Sequence, residues 1–291
     1  MQSTKNDPME IAAKAPVPFK TPKERSDWIN QYSYAKKLCE AHRTILSFLG
    51  GPSPIFEGRE DEVEAVRQSL SKMRMRNCVL IGDPGVGKTE IMKKAISSLK
   101  TNDIFLNMDL ASMLAGCKLV GMFEERFCNI VREVASANAK KSTRICFFID
   151  EVHNLFRVGK SDQYGTLSGG EILKPYLAEG SIVVMGATTK EEYDKYVMAD
   201  KALLRRLPPV FVDGMHDAQT AKIVESFAKG KMGPKIASYV VARSHWVHYL
   251  SNPDCALEIA DRAIAKASSE GRKPNESDVD SVLAFMVVPN A

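Results

Sequence analysis

The sequence has little that would place it in a membrane, an export pathway or a strongly charged complex. No apolar run approaches the roughly 20 residues that a helix needs to cross a bilayer. Forty Lys and Arg residues against 36 Asp and Glu leave a net charge of only +4, which is too small an excess to indicate nucleic-acid binding by itself. Pro8, Pro16, Pro18 and Pro22 interrupt the N-terminal stretch, so it has no continuous apolar core of the signal-peptide kind.

Cysteines are few and scattered, and no two of them form a C-x-x-C pair. The six are Cys39, Cys78, Cys117, Cys128, Cys146 and Cys255. This spacing predicts neither a metal site nor a disulfide framework. A reduced compartment fits such cysteine usage, so we expect a cytoplasmic protein.

Short apolar runs alternate with stretches of helical periodicity along most of the chain. Runs of strand type lie at 78–81, 104–106, 145–149, 182–185 and 210–212. Because strands that alternate with helices form a parallel sheet covered on both faces, we predict an α/β core with a parallel five-stranded sheet. Beyond Pro234 the pattern is purely helical, with helices expected at 235–250, 255–269 and 276–286.

Changes of composition divide the chain into four predicted parts. Residues 1–23 are polar and punctuated by proline, which is typical of a disordered arm. Residues 24–53 comprise a predicted helix over 24–49 and a Gly-Pro hinge. Residues 54–232 are the α/β core, and residues 233–291 form a small α-helical lid domain.

A complete phosphate-binding motif, Gly82-Asp83-Pro84-Gly85-Val86-Gly87-Lys88-Thr89, follows the apolar run at 78–81. Glycines let the backbone amides of such a loop point at phosphates, and Lys88 supplies a positive charge to the outer phosphate oxygens. Thr89 offers a hydroxyl to Mg²⁺, and the helix that continues through Glu90 presents its positive end to the same anion. The motif predicts binding of ATP with Mg²⁺.

Two carboxylates, Asp150 and Glu151, end the apolar run at 145–149. The carboxyl end of a strand is where α/β sheets place ligands. Asp150 is suited to hold Mg²⁺, and Glu151 is suited to orient or deprotonate the attacking water. The alternative interpretation is a polar pair that merely ends a strand. The phosphate loop upstream favours the catalytic interpretation over it.

Residues 54–270 resemble, stretch by stretch, the first ATPase module of the Clp-type AAA+ protein unfoldases and disaggregases. The matching stretches are Ile55–Glu62, the phosphate loop, Gly116–Arg126, Phe148–His153, Leu173-Lys174-Pro175, Gly186-Ala187-Thr188-Thr189 with Glu192-Tyr193, Leu203–Arg206 and Pro253–Ala256. A phosphate loop alone would not discriminate among nucleotidases, whereas this ordered series is specific.

The resemblance implies roles for further residues. Thr189 would be the first sensor, a polar side chain that reads the γ-phosphate and positions water. Arg205 and Arg206 would be arginine fingers that reach the ATP of a neighbouring subunit, which implies a homo-oligomeric ring, expected to be a hexamer. An apolar clamp on adenine would consist of Ile55, Phe56, Ile223 and Pro253.

The loop at 118–121, which is Lys118-Leu119-Val120-Gly121, departs from the family. Members of the family carry an aromatic residue there that grips polypeptide in the central pore. This chain has Leu119 instead, whose side chain lacks the large, rigid contact surface of an aromatic ring. The segment 158–170 lies where the family has a second pore-facing loop, and its Lys160 and Tyr164 could touch a threaded chain; a flexible surface loop explains them equally well. The family's signature for docking a peptidase lies in a second ring that this sequence lacks, so we expect no protease partner.

These features predict a single-ring AAA+ motor that hydrolyses ATP to remodel or unfold protein substrates. The alternative is an ATP-switched loader or transposition helper on DNA, because the basic N-terminal arm could contact phosphates. A regulatory subunit that binds nucleotide but barely hydrolyses it is a third hypothesis. Turnover measured with unfolded polypeptide or with DNA separates them.

Overall fold

The computed structural model describes residues 14–115, 117, 120–139, 143–157 and 168–287. The described chain divides into two compact units. The first contains the described residues up to Gly50 together with Ala65–Leu80 and Ala95–Val210, and the second contains Gly51–Glu64, Ile81–Lys94 and the described residues from Phe211 onward. In the described part of the chain, no helix has the length and apolar character needed to cross a membrane.

The first unit is built on a six-stranded sheet with strand order β1-β3-β4-β5-β2-β6. The strands are β1 (Leu46–Phe48), β2 (Cys78–Ile81), β3 (Ile104–Met108), β4 (Ile145–Ile149), β5 (Val183–Thr188) and β6 (Pro209–Phe211). Strand β4 pairs in parallel with β3 and β5. All residues of β2, β4 and β5 are buried, as expected of central strands covered on both faces. The α/β class is confirmed.

Helices accompany the sheet in the order that the alternating pattern predicts. They are α1 (Pro22–Ala41), α2 (Glu60–Ser71), α3 (Lys88–Ser97), α4 (Leu110–Ala115), α5 (Val120–Asn138), α6 (Asn154–Arg157), α7 (Gly169–Glu179), α8 (Lys190–Tyr196) and α9 (Lys201–Leu204). Four further helices follow β6: α10 (Asp217–Ala228), α11 (Pro234–Ser244), α12 (Asp254–Ser269) and α13 (Glu276–Met286).

The prediction of one helix over 24–49 and of five strands was wrong at the start of the chain. Helix α1 begins after Thr21, whose hydroxyl accepts from the Glu24 amide, and it ends at Ala41. Leu46–Phe48 instead forms an edge strand, antiparallel to β3, in which Leu46 pairs with Met108. Pairing with β3 and burial of Leu46 outweigh the local helical spacing.

Residues 14–21, from the segment expected to be a disordered arm, contact the first unit. The Val17 amide donates to Asn102 Oδ1 over 3.0 Å. The Phe19 ring lies 5.9 Å from Trp28, which stacks at 5.0 Å on Tyr32. The rest of the arm, 1–13, lies outside the described residues, and its extent stays a prediction.

The second unit has its own apolar core, built by helices α10 to α13. Small and branched side chains of α12 lie at its centre, including Ala256, Ile259, Ala260 and Ala263, which are fully buried. Val279 and Leu283 of α13 pack into the same cluster. A capping box at Asn275 and Asp278 begins α13, so the last helix has a fixed start.

Candidate functional site

The phosphate loop, residues 82–89, joins β2 to α3 and has the backbone conformation that only its glycines permit. Gly85 and Gly87 have φ of +86° and +92°, a region that disfavours side chains. A Cβ at Gly82 would lie 2.2 Å from the Val212 carbonyl oxygen. The loop is therefore curled by its sequence, as an amide cradle requires.

Lys88 holds the beginning of this loop, and Glu90 holds the start of α3 that follows it. The Lys88 ammonium donates to the carbonyls of Gly82 and Asp83, each over 2.9 Å. Glu90, predicted to bind cofactor, accepts from the Ser53 amide over 2.6 Å and pairs with Lys93 over 2.7 Å. In this arrangement Glu90 anchors the segment before α2 to the start of α3.

Two backbone amides at the start of α12 donate hydrogen bonds to the loop. The Ser251 amide donates to the Pro84 carbonyl and the Asp254 amide to that of Gly85, over 3.2 and 3.3 Å. Because these amides precede and begin α12, the position of this helix and the shape of the loop are mechanically linked.

Arg59 is a functional candidate that sequence reasoning missed. Its side chain is buried, and Nη2 donates to the Val86 carbonyl over 3.2 Å while Nη1 pairs with Glu62 over 2.8 Å. Its φ of +71° is unusual for a residue other than glycine. Arg59 stands within the family-like stretch at 55–62, which is the signal that could have found it.

An apolar cavity of about 260 Å³ lies beside the phosphate loop within the second unit. All four residues predicted to clamp adenine line it: Ile55, Phe56, Ile223 and Pro253. Met215 and Leu257, which sequence reasoning missed, line it too, and Val86, Gly87 and Glu90 connect it to the loop. Its size and lining suit one planar base rather than a whole nucleotide.

The acidic pair lies in the first unit, at the end of β4. Asp150 and Glu151 are both exposed, and Asp150 Oδ1 accepts from the Glu151 amide over 3.0 Å. Glu151 has a φ of +52°, a left-handed conformation that costs a non-glycine residue about 1–2 kcal/mol. Such strain at a carboxylate is typical of functional sites.

Strand β5, which ends one residue before the predicted sensor Thr189, is hydrogen-bonded to the segment that follows the acidic pair. The Val152 amide donates to the Ala187 carbonyl over 3.0 Å. Gly186 leaves room for Val152, since a Cβ there would lie 2.8 Å from the valine Cγ1. Thr189, immediately after β5, is the N-cap of α8 and accepts from the Glu192 amide.

Four residues, His153, Thr188, Thr189 and Glu192, form a hydrogen-bonded group, and together with the neighbouring Glu151 we call it the sensor cluster. His153 is buried, with Nε2 2.8 Å from Glu192 Oε1 and Nδ1 3.0 Å from Thr188 Oγ1. The Thr189 hydroxyl donates to Glu192 Oε2 over 2.8 Å. His153 Nδ1 lies 3.5 Å from Glu151 Oε2. The cluster connects the predicted base to the predicted sensor.

Burial lowers the pKa of His153, against the opposing effect of the Glu192 carboxylate, so the neutral imidazole is favoured. Ligand atoms of Glu151, His153 and Glu192 lie within 4.8 Å of one another, close enough to hold a metal ion. The hydrogen bonds already account for most of this proximity, and we assign no metal to it.

The chain is similar to known proteins along most of its length. The family model described as "ATPase family associated with various cellular activities (AAA)" matches residues 78–211. The chaperone protein ClpB 1 of Thermosynechococcus vestitus is 36% identical over 252 residues, which are 81% of this chain and 28% of that protein. ClpB of Aquifex aeolicus is 38% identical over 226 residues, 72% of this chain and 22% of that protein.

Solved structures show the same likeness. A closed-state cryo-EM reconstruction of Hsp104 with ATPγS and FITC casein matches with a TM-score of 0.69 and 26% identity, over 86% of this chain and 45% of that one. The extended conformation of the Saccharomyces cerevisiae Hsp104:casein complex matches with a TM-score of 0.66. Residues 78–211 match an AAA domain, and the chain as a whole is similar to ClpB chaperones. It spans less than a third of the length of the two ClpB relatives.

The two predicted arginine fingers differ in their surroundings in the AAA domain. Arg205 is the exposed C-cap of α9. Arg206 is half-buried, and its Nη1 donates to the Ala202 carbonyl over 2.7 Å. Arg205 is therefore better placed to extend toward another molecule, and the role of both stays a prediction.

The predicted pore loop falls largely outside the described residues. Lys118 and Leu119 lie there, as do Lys160 and Tyr164 of the second predicted loop. Val120 is the first residue of α5, and Gly121 is an exposed residue in its first turn. Whether Leu119 grips polypeptide stays a question for experiment.

Proposed function

We propose that the chain is an ATPase that uses ATP turnover to remodel or unfold protein. The observation that carries this proposal is the curled phosphate loop beside an apolar cavity of base size. The loop supplies amides and Lys88 to the phosphates, and the cavity supplies apolar contact to the base. ATP satisfies both requirements at once.

Each catalytic role falls to a residue type that suits it. Glu151 is exposed and held in a strained conformation, so its carboxylate can accept a proton from water without first leaving a buried position. Thr189 is fixed as a helix cap and can align that water. In the sheet, β5 lies between β2 and β4, and α/β sheets place their ligands at the carboxyl ends of such strands.

Magnesium fits the oxygen donors at hand. Thr89 offers a hydroxyl and Asp150 an exposed carboxylate, the hard ligands that Mg²⁺ prefers. These two residues would hold the ion, which when bound neutralises charge on the β- and γ-phosphates.

A homo-oligomeric ring, expected to be a hexamer, completes the proposal. The exposed Arg205 would supply positive charge to the triphosphate of the next subunit, since a guanidinium given in trans stabilises the transferring phosphoryl group. The substrate class rests on the similarity to ClpB chaperones and to Hsp104 in its complexes with casein.

The decisive experiment compares the wild-type chain with Glu151→Gln. We expect Glu151→Gln to bind ATP with near-normal affinity, to lose about 100-fold or more in turnover, and to remain as a nucleotide-loaded oligomer on a sizing column. Lys88→Ala is the contrasting variant and should lose binding itself. Normal phosphate release by Glu151→Gln would overturn the catalytic assignment.

The substrate class is tested in the same assay. We expect unfolded casein to raise the wild-type turnover. If double-stranded DNA raises it and casein does not, the protein-remodelling part of the proposal fails while the ATPase part stands.

A further inference from the structure

A second cavity, of about 360 Å³, lies in the first unit at the start of the central strands. Its wall includes Phe105, Cys146 and Val183, each among the first two residues of β3, β4 or β5. Asp150 follows the other end of β4, four residues and about 13 Å beyond Cys146. The cavity is therefore at the opposite end of the sheet from the acidic pair, and it shares no residue with the apolar cavity beside the phosphate loop.

Positive charge dominates the polar part of this cavity. Of the described residues that line it, three carry a cation, Arg67, Arg76 and Lys100, and one carries a carboxylate, Asp103. Three minus one leaves the lining with a net charge of +2. Lys100 is exposed, so its long side chain can follow a bound ligand. A dianion would balance this charge, whereas a cation would be repelled.

Arg76 is the cation that the protein holds in place. Its Nη1 donates to Asp103 Oδ2 over 3.0 Å. The buried Asp103 carboxylate is itself fixed, because Oδ1 accepts from the Arg144 amide over 2.9 Å. Among the described residues, Arg76 makes no further hydrogen bond. Nε and Nη2 of an already oriented guanidinium therefore remain for an oxyanion, which is the ligand that such a planar donor pair suits.

The rest of the wall is apolar or neutral. Leu70, Leu99 and Phe105 belong to it. Burial, with a smaller effect from the Asp103 carboxylate, raises the pKa of the Cys146 thiol, so the thiol adds no negative charge. The volume falls within the range of about 300–1,000 Å³ that small-molecule sites have. The cavity thus has room for an organic group beside the anion.

We propose that this cavity is a second ligand site, which binds a small organic phosphate monoester independently of ATP. Arg76 donates to the phosphate oxygens, Arg67 and Lys100 supply further positive charge, and the apolar wall contacts the organic group. A phosphate monoester carries about −1.5 to −2 charges at neutral pH, which matches the charge of the lining. The structural alternative is that Arg76 only closes an ion pair with Asp103 and that the cavity holds water.

Isothermal titration calorimetry with phenyl phosphate tests the site. Because the phosphate loop also attracts phosphate, the titration uses the Lys88→Ala chain and, in parallel, the wild-type chain saturated with ADP. We expect one phenyl phosphate per chain in both. Inorganic phosphate, which lacks the ring, and benzyl alcohol, which lacks the charge, should each bind about tenfold more weakly or worse.

Two outcomes of this titration would overturn the inference. Loss of phenyl phosphate binding in Lys88→Ala would assign the ligand to the phosphate loop. Equal affinity for inorganic phosphate would show that the apolar wall contacts no organic group. The titration requires no ATP turnover, so its result is separate from the outcome for the proposed function.

Variants of the lining, made in the Lys88→Ala chain, locate the site. Arg76→Lys keeps a donor for Asp103 but loses the second edge of the guanidinium, so the affinity for phenyl phosphate should fall about tenfold or more. Arg74→Lys is the matched control, because Arg74 is exposed and does not line the cavity. Lys100→Gln changes an exposed residue, so it tests the site even if Arg76→Lys lowers the melting temperature, and it should weaken binding about two- to fivefold. Unchanged affinity in both lining variants would contradict the inference.

Discussion

Replacing Phe56 by alanine should weaken the binding of ATP while leaving the binding of bare triphosphate unchanged. Phe56 lines the apolar cavity together with Ile223 and Pro253, and all three residues belong to the second unit. Lys94 Nζ lies 5.7 Å from the centre of its ring. The ring is half-buried, so its removal should cost little in stability and should act mainly on the ligand.

The expected magnitude follows from the contact that is lost. Stacking of a base on an aromatic ring contributes about 1–3 kcal/mol. Because the aliphatic walls of the cavity remain in the variant, we expect the lower part of this range, about 1–2 kcal/mol. The dissociation constant for ATP should then rise about 5- to 30-fold.

Competition against a fluorescent nucleotide measures this change, with ATP and inorganic tripolyphosphate as the two competitors. Phe56→Leu serves as the control, since it keeps apolar area and should recover part of the ATP affinity. An unchanged ATP affinity in Phe56→Ala would refute the base-binding role. An equal loss for tripolyphosphate would show that the substitution had damaged the phosphate loop instead.

Two further predictions concern the loop and the last helix. Gly87→Ala meets no atom within 4 Å but must adopt a φ near +92°, so it should cost about 1–2 kcal/mol in the curled loop and weaken ATP binding in the same competition assay. Gly214→Ala, equally uncrowded and without a positive φ, should not. Asp278 is buried, and its hydrogen bonds from Arg272 lower its pKa well below the usual range. Because the pKa of Asp278 is lower in the folded state than its ordinary value of 3.8, the ionised carboxylate stabilises the fold above pH 3.8. This stabilisation is lost as the pH falls below 3.8 toward the lowered pKa of the folded state. Thermal melts of Asp278→Asn should therefore show a weaker fall in stability between pH 5 and about pH 3 than wild type. Exposed Asp261→Asn should follow the wild type, and parallel curves for all three chains would contradict the assignment.

The central strands were predictable because a strand that is buried on both faces consists of consecutive apolar residues. Cys78–Ile81 and Ile145–Ile149 are uniformly apolar, and both strands have those bounds in the structure. Strand β1 has no such run of buried apolar residues. Leu46–Phe48 has three residues, of which only Leu46 is buried, and its strand character comes from pairing with β3, some 60 residues away along the chain.

The same contrast separates the parts of the candidate site. The phosphate loop is contiguous, and its backbone requirements select glycine directly, so the motif alone locates it. Arg59 contacts the loop at Val86, 27 residues later in the sequence, and His153 meets Thr188 after 35 residues. No local pattern predicts which partner a buried polar side chain finds at such a distance.

The local role of Thr189 as a helix cap does not compete with the catalytic role that we propose for it. The side-chain oxygen of a helix N-cap is held by a backbone amide. The Thr189 side chain is therefore already fixed in the folded protein and loses little rotational freedom when it binds water. The accepted amide hydrogen bond and the donated bond to Glu192 together leave one lone pair in one direction. That lone pair can accept from a water molecule, so the cap is compatible with the proposed orientation of the attacking water.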